Sequence, residues 1–181
     1  MLKYFIIYMI LVNIAGFATY AMGLKLNILA ILGGCYGMLI ACLMYDKKAV
    51  KENMMTRVYI ICMSVIYLLV LVIFILLKKD SINLNIVKVF GRHKIFLWYL
   101  LVVNIITMLM YGLDKLKAIY DKRRISIVTL LSFAMAGGSV GALLGMYAFR
   151  HKTKKDYFAV GVPLILVMHV VVLIFLDIVW G

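Results

Sequence analysis

The sequence predicts an all-α integral membrane protein of six hydrophobic helical segments, arranged as two three-segment repeats whose middle segments are candidates for re-entry. Three observations predict it. Apolar residues make up 67% of the 181, charged residues only 15%, and mean hydropathy is +1.11, whereas a soluble domain is about half apolar and about a quarter charged. The apolar residues fall into six runs of 18 to 24, near the roughly 20 that an α-helix needs to cross about 30 Å of hydrocarbon. The second half of the chain also repeats the polar and glycine landmarks of the first.

The first run, Tyr4 to Met22, follows Lys3 and so resembles the start of a secretory signal. It is too long for the apolar core of one and carries Asn13 at its centre, so it reads as a retained helix. The second run, Ile28 to Tyr45, holds Gly33, Gly37 and Ala41 at a four-residue period. The third is Val58 to Leu77 and the fourth Ile95 to Leu113, with Asn104 central. The fifth, Ile127 to Phe149, places Gly137, Gly141 and Gly145 on one stripe, with Gly138 beside it, and runs into Arg150, His151, Lys152, Lys154 and Lys155. The sixth, Tyr157 to Trp180, contains Pro163, His169 and Asp177. Cys35, Cys42 and Cys62 lie inside apolar runs without a C-x-x-C spacing and read as packing residues.

The internal repeat gives the domain organisation. Asn13 and Tyr20 align with Asn104 and Tyr111 at an offset of 91, and Gly33 to Gly37 align with Gly137 to Gly141 at an offset of 104. The difference between the offsets is the 13-residue stretch Asp114 to Ser126, DKLKAIYDKRRIS, which only the second copy has. We therefore expect one membrane domain over 1–181, with a degenerate first repeat at 1–80 and a second at 95–181 that carries the polar chemistry.

Orientation depends on the middle segments. If all six runs cross, the 20 Lys and Arg divide 10 against 10, and the excess of positive charge that marks a cytoplasmic face selects no side. If each middle run dips in and returns at its glycines, the division becomes 14 against 6. A re-entrant backbone has to be buried in protein or line a cavity, and four crossings offer little cover for two of them. The sequence reading therefore favours six crossings, with the halves as inverted repeats. It puts Lys51 and Lys117 on one side and Lys154 on the other, and packs the two glycine stripes against each other through Gly141.

The polar residues define the candidate sites. On straight helices Gly33, Gly37, Gly137, Gly138, Gly141 and Gly145 allow close packing; if the helices break there, freed amides can hold an anion. Asp114, Lys115, Arg124, His151 and Lys152 lie at segment ends, where Arg and Lys suit a phosphate and His151 can change charge near neutral pH. Asn104 and His169 lie at membrane depth, where a polar group is costly and marks either an interhelical bond or a substrate or proton path. Asp177 is close enough to the C-terminal end of its run to reach the interface. No nucleophile elbow, zinc-binding helix, phosphate loop or carboxylate pair is present, and the 13 methionines have no ligand spacing, so no reaction, cofactor or metal is implied.

Asn104, Asp114-Lys115, Arg124, the GGSVGALLGM run from Gly137 and the RHKTKKDYF run from Arg150 together resemble a family of small bacterial membrane proteins, catalogued as domain of unknown function twelve-ninety-four. The resemblance covers about 104 to 165. It implies a multi-pass protein of the bacterial cytoplasmic membrane and supplies no activity. Where relatives place an acidic residue shortly after the arginine, this chain has Ile125-Ser126-Ile127.

A net charge of +13 on so apolar a chain points to anionic lipid headgroups or solutes as partners. The basic residues do not form a nucleic-acid module. Three functions fit these observations: a small transporter or flippase for an anionic solute or phosphorylated lipid, a membrane enzyme acting on such a lipid, and a non-catalytic subunit whose glycine stripe meets a second copy or another membrane protein.

Overall fold

The computed structural model describes residues 2–24, 27–46, 53–77 and 94–180, and the regular structure among them is helical throughout. Five stretches, Asn27–Tyr45, Met54–Ile73, Lys94–Ile119, Ile127–Ala148 and Asp156–Val179, are long and apolar enough to cross a membrane, and Ile6–Ala21 forms a shorter apolar helix. The chain separates into two compact units, Met1–Leu71 and Val72–Gly181.

In the second unit α5 (Lys94–Ile119) is followed by α6 (Ile127–Phe133), a wide turn at Ala134–Gly138, and α7 (Ser139–Ala148). Ser126 starts α6 by accepting the Thr129 amide at 3.0 Å, one of the donors a helix start leaves unpaired. The 22 residues of Ile127–Ala148 would measure about 33 Å as one helix. Their two flanks nevertheless meet at one side chain, since Asp114 accepts the Ile125 amide at 2.8 Å and contacts His151 at 2.7 Å. The segment is therefore a helical hairpin that turns back at Gly137, whose φ of 114° and ψ of −4° suit a residue without a Cβ. Six straight crossings, the arrangement the sequence favours, cannot place both flanks beside Asp114.

A reversal frees backbone groups, and each needs a partner in an apolar setting. The Met135 carbonyl accepts from His169 Nε2 at 3.0 Å, the Ala136 carbonyl from Tyr99 Oη at 2.5 Å, and the Gly137 carbonyl from Asn104 Nδ2 at 3.0 Å. Asn104 Oδ1 takes the Gly141 amide at 2.6 Å, and its Nδ2 also reaches the Leu100 carbonyl at 2.7 Å. One asparagine thus uses its whole amide to staple the returning arm to α5. The close approach requires glycine. A Cβ on Gly141 would stand 2.0 Å from the Asn104 carbonyl oxygen, and one on Gly138 would stand 2.0 Å from Thr107 Oγ1. Gly141 therefore packs on α5 of its own unit, which corrects the expectation that it packs on the other glycine stripe. The chain then forms α8 (Asp156–Ala159) and α9 (Gly161–Trp180), and His169 on α9 bridges both arms of the hairpin through Met135 and Ser139.

The first unit makes the same contacts with other residues. After α1 (Leu2–Ala21) come α2 (Asn27–Leu29), a wide turn at Ala30–Gly34, and α3 (Cys35–Tyr45); α4 (Met54–Leu77) follows. Gly33 has a φ of 104° and turns the chain back. Its carbonyl accepts from Asn13 Nδ2 at 3.0 Å, the Leu32 carbonyl from Tyr8 Oη at 2.9 Å and the Ile31 carbonyl from the Tyr67 hydroxyl. Asn13 Oδ1 receives the Gly37 amide at 2.8 Å, and a Cβ on Gly37 would stand 1.9 Å from the Asn13 carbonyl oxygen. At the exit of this hairpin the Tyr20 hydroxyl donates to the Asp46 carboxylate.

Candidate functional site at the hairpin mouth

The mouth of the second hairpin gathers the charged side chains. Asp114 sits on the last turns of α5, fully buried. Its Oδ1 holds the Ile125 amide, and its Oδ2 contacts both His151 Nε2 and Lys152 Nζ at 2.7 Å. A buried carboxylate is costly unless paired and hydrogen-bonded, and here three donors surround it. Lys115, the next residue, directs its ammonium to the Phe149 carbonyl at the C-terminal end of α7, where a positive charge complements the helix dipole.

The exit loop is built to present these groups. Arg150 and Lys152 adopt φ of 47° and 61°, the left-handed region that residues with a Cβ seldom enter. The Arg150 amide bonds the Tyr147 carbonyl at 3.2 Å and the His151 amide bonds the Met146 carbonyl at 3.0 Å, the paired bonds of a Schellman cap with arginine where glycine is usual. The sharp turn brings His151 and Lys152 back over the end of α5. Lys152 Nζ also lies 4.8 Å from the centroid of the Phe158 ring, a cation–π contact. Phe158 is fully buried and meets Tyr111 edge-on at 5.6 Å between ring centroids.

The residues singled out in the sequence thus divide into three sets. Asp114, His151 and Lys152 form one network, with Lys115 one residue away on the neighbouring carbonyl. Arg124 is exposed and adjoins Ile125, whose amide Asp114 holds. Asn104 and His169 lie deeper and hold the hairpin turn. For His169 the tautomer follows from its partners: Nε2 must donate, because the Met135 carbonyl can only accept, and in the neutral ring Nδ1 then accepts from the Ser139 hydroxyl at 2.9 Å. The amide of Gly141, a candidate backbone anion donor, is taken by Asn104. Asp177 is 3% exposed, enclosed by protein where the sequence placed it within reach of the interface. Sequence reasoning passed over Tyr111 and Phe158 as site residues; the alignment of Tyr111 with Tyr20 was the available signal.

The family comparison falls on this site. A family model described as "Protein of unknown function (DUF1294)" matches residues 104–158, the span from the Asn104 staple to Phe158. The chain is 43% identical over 75 residues to the "Uncharacterized protein YsdA" of Bacillus subtilis (strain 168), a match covering 41% of this chain and 84% of that relative. No solved structure matches.

Proposed function

This chain belongs to the DUF1294 family, whose function is unknown, and on that premise we propose that it is a small integral membrane transporter or flippase for an anionic solute or a phosphorylated lipid. The observation that carries the reading is the meeting of Ile125, His151 and Lys152 at Asp114. It sets the last turns of α5, residues 120–126 and residues 150–155 at one end of the second unit, so Lys115, Lys117, Lys122, Arg123, Arg124, Arg150, Lys154 and Lys155 share that end. A basic mouth over a half-depth hairpin attracts anions, and the concentration of charge supports a cytoplasmic facing. On this reading each unit has two crossings and one re-entrant hairpin. That even count departs from the odd number per unit that inverted repeats require.

The test is reconstitution into proteoliposomes. Fluorescent phosphatidylglycerol in the inner leaflet becomes accessible to an external quencher if the protein moves it between leaflets, and a labelled anion is taken up by counterflow if the substrate is a solute. Asp114→Asn, which keeps the shape and removes the charge, is expected to reduce either signal at least several-fold. Absence of both signals from the folded wild-type protein overturns the proposal. The His151–Asp114 pair favours a second reading, a membrane enzyme in which Asp114 orients His151 as a base toward a phosphorylated lipid. That reading requires a chemically altered lipid in the same liposomes.

A further inference from the structure

The two hairpins provide a comparison within the molecule. Measured from the asparagine staple, Tyr20 follows Asn13 by seven residues and Tyr111 follows Asn104 by seven; Asp46 follows Gly37 by nine and Arg150 follows Gly141 by nine. In the first unit the tyrosine hydroxyl donates to a carboxylate supplied by the hairpin exit, Asp46. In the second unit the exit is Arg150-His151-Lys152, and it turns through left-handed backbone where Asp46 has a φ of −103°. Tyr111 is fully buried there, and among the described residues its hydroxyl has no hydrogen-bond partner. A phenol hydroxyl enclosed in protein without an acceptor is unfavourable, so this one calls for an explanation.

We infer that the Tyr111 hydroxyl and the Lys152 ammonium together receive a phosphate oxygen, the ligand's anionic oxygen standing where the first unit uses its own Asp46 carboxylate. Tyr111 and Lys152 pack on the same Phe158 ring, at 5.6 Å between centroids and 4.8 Å from Nζ to centroid. Tyr111 also lies one helical turn before Asp114, to which Lys152 is paired. Lys152 is a side chain of a surface loop, 15% exposed; it shifts to admit the phosphate and keeps its charge beside it. An ammonium has three donors, so Lys152 can hold Asp114 and the phosphate at once. Arg150 adds positive charge against the negative charge of Asp114. The inference rests on the anion-handling reading above and assigns the phosphate a location and two donors. The phosphate is that of a free ion or of a lipid headgroup, the chemistry at Tyr111 being the same.

The experiment measures thermal stability and affinity of the full chain, in detergent with inorganic phosphate as probe and in phosphatidylcholine nanodiscs with and without phosphatidic acid. Wild type is expected to gain stability with one of the two probes, and which one identifies the source. Tyr111→Phe keeps the ring against Phe158 and removes only the oxygen. Without ligand its midpoint is expected to match or exceed that of wild type, and its affinity to fall about tenfold or more. Lys152→Ala is expected to lose affinity as well. Equal ligand response in wild type and Tyr111→Phe overturns the inference, as does the absence of any response in wild type to both probes. Transport that persists undiminished in Tyr111→Phe removes this site and leaves the transporter reading standing. Tyr111-dependent binding without transport does the reverse.

Discussion

Single atoms decide which glycines matter. Gly141 and Gly145 look equivalent on the four-residue stripe, but their surroundings differ. A Cβ on Gly141 meets the Asn104 carbonyl oxygen at 2.0 Å and its carbonyl carbon at 2.7 Å, whereas one on Gly145 meets Tyr111 Cβ at 3.0 Å and the Met108 carbonyl at 3.2 Å. The first is a collision with helix backbone that separates α5 from α7 and pulls Asn104 off the Gly141 amide. The second requires a shift of a few tenths of an ångström. Gly141→Ala is therefore expected to destabilise by at least the 1–3 kcal/mol or so typical of overpacking, and Gly145→Ala by clearly less. Thermal unfolding of both variants in detergent checks the order, and equal midpoints would refute the account of the staple.

At the scale of the element, the hairpin persists because side chains pair the carbonyls exposed at its reversal. Three successive carbonyls, Met135, Ala136 and Gly137, each accept from a side chain, the first from His169 on α9 and the other two from Tyr99 and Asn104 on α5. His169→Phe keeps an aromatic ring but leaves the Met135 carbonyl and the Ser139 hydroxyl without that partner, a loss of about 1–3 kcal/mol. Gly137→Ala acts differently. Its Cβ would meet Leu100 Cδ2 at 3.1 Å, the movable end of a side chain, so the cost is chiefly the left-handed backbone, about 1–2 kcal/mol. Hydrogen exchange of the Ser139 to Ala142 amides measures both; faster exchange in the two variants is expected, and unchanged protection would show that the turn does not depend on them.

For the whole molecule, the second hairpin bears on which charged residues share one end of their unit. Lys117 lies in the last turn of α5 and Lys154 in the loop after α7, and the Asp114 network brings those two regions to one end of the second unit. Single cysteines at 117 and 154, in a background with Cys35, Cys42 and Cys62 replaced, are thus expected to label from the same side of the membrane. Labelling from opposite sides would exclude the hairpin. Lys51, the third position the sequence assigned to a side, lies outside the described residues.

Composition and run length were enough to read a helical chain with segments able to cross a membrane, because apolar burial in lipid is written in residue type and needs no knowledge of partners. The residues of the mouth were legible as well: Asp114, Lys115, His151 and Lys152 stand out as charges at the ends of apolar runs. Whether they meet was not. A four-residue glycine period suits a straight packed helix and a hairpin equally, and the charge count alone left the chain undecided between the two. The choice is made by contacts between residues 33 to 37 apart, with Asn104, Tyr99 and His169 satisfying the backbone that a turn at Gly137 leaves exposed. Only the tertiary structure brings those side chains to the turn, and with them the two basic loops to one carboxylate.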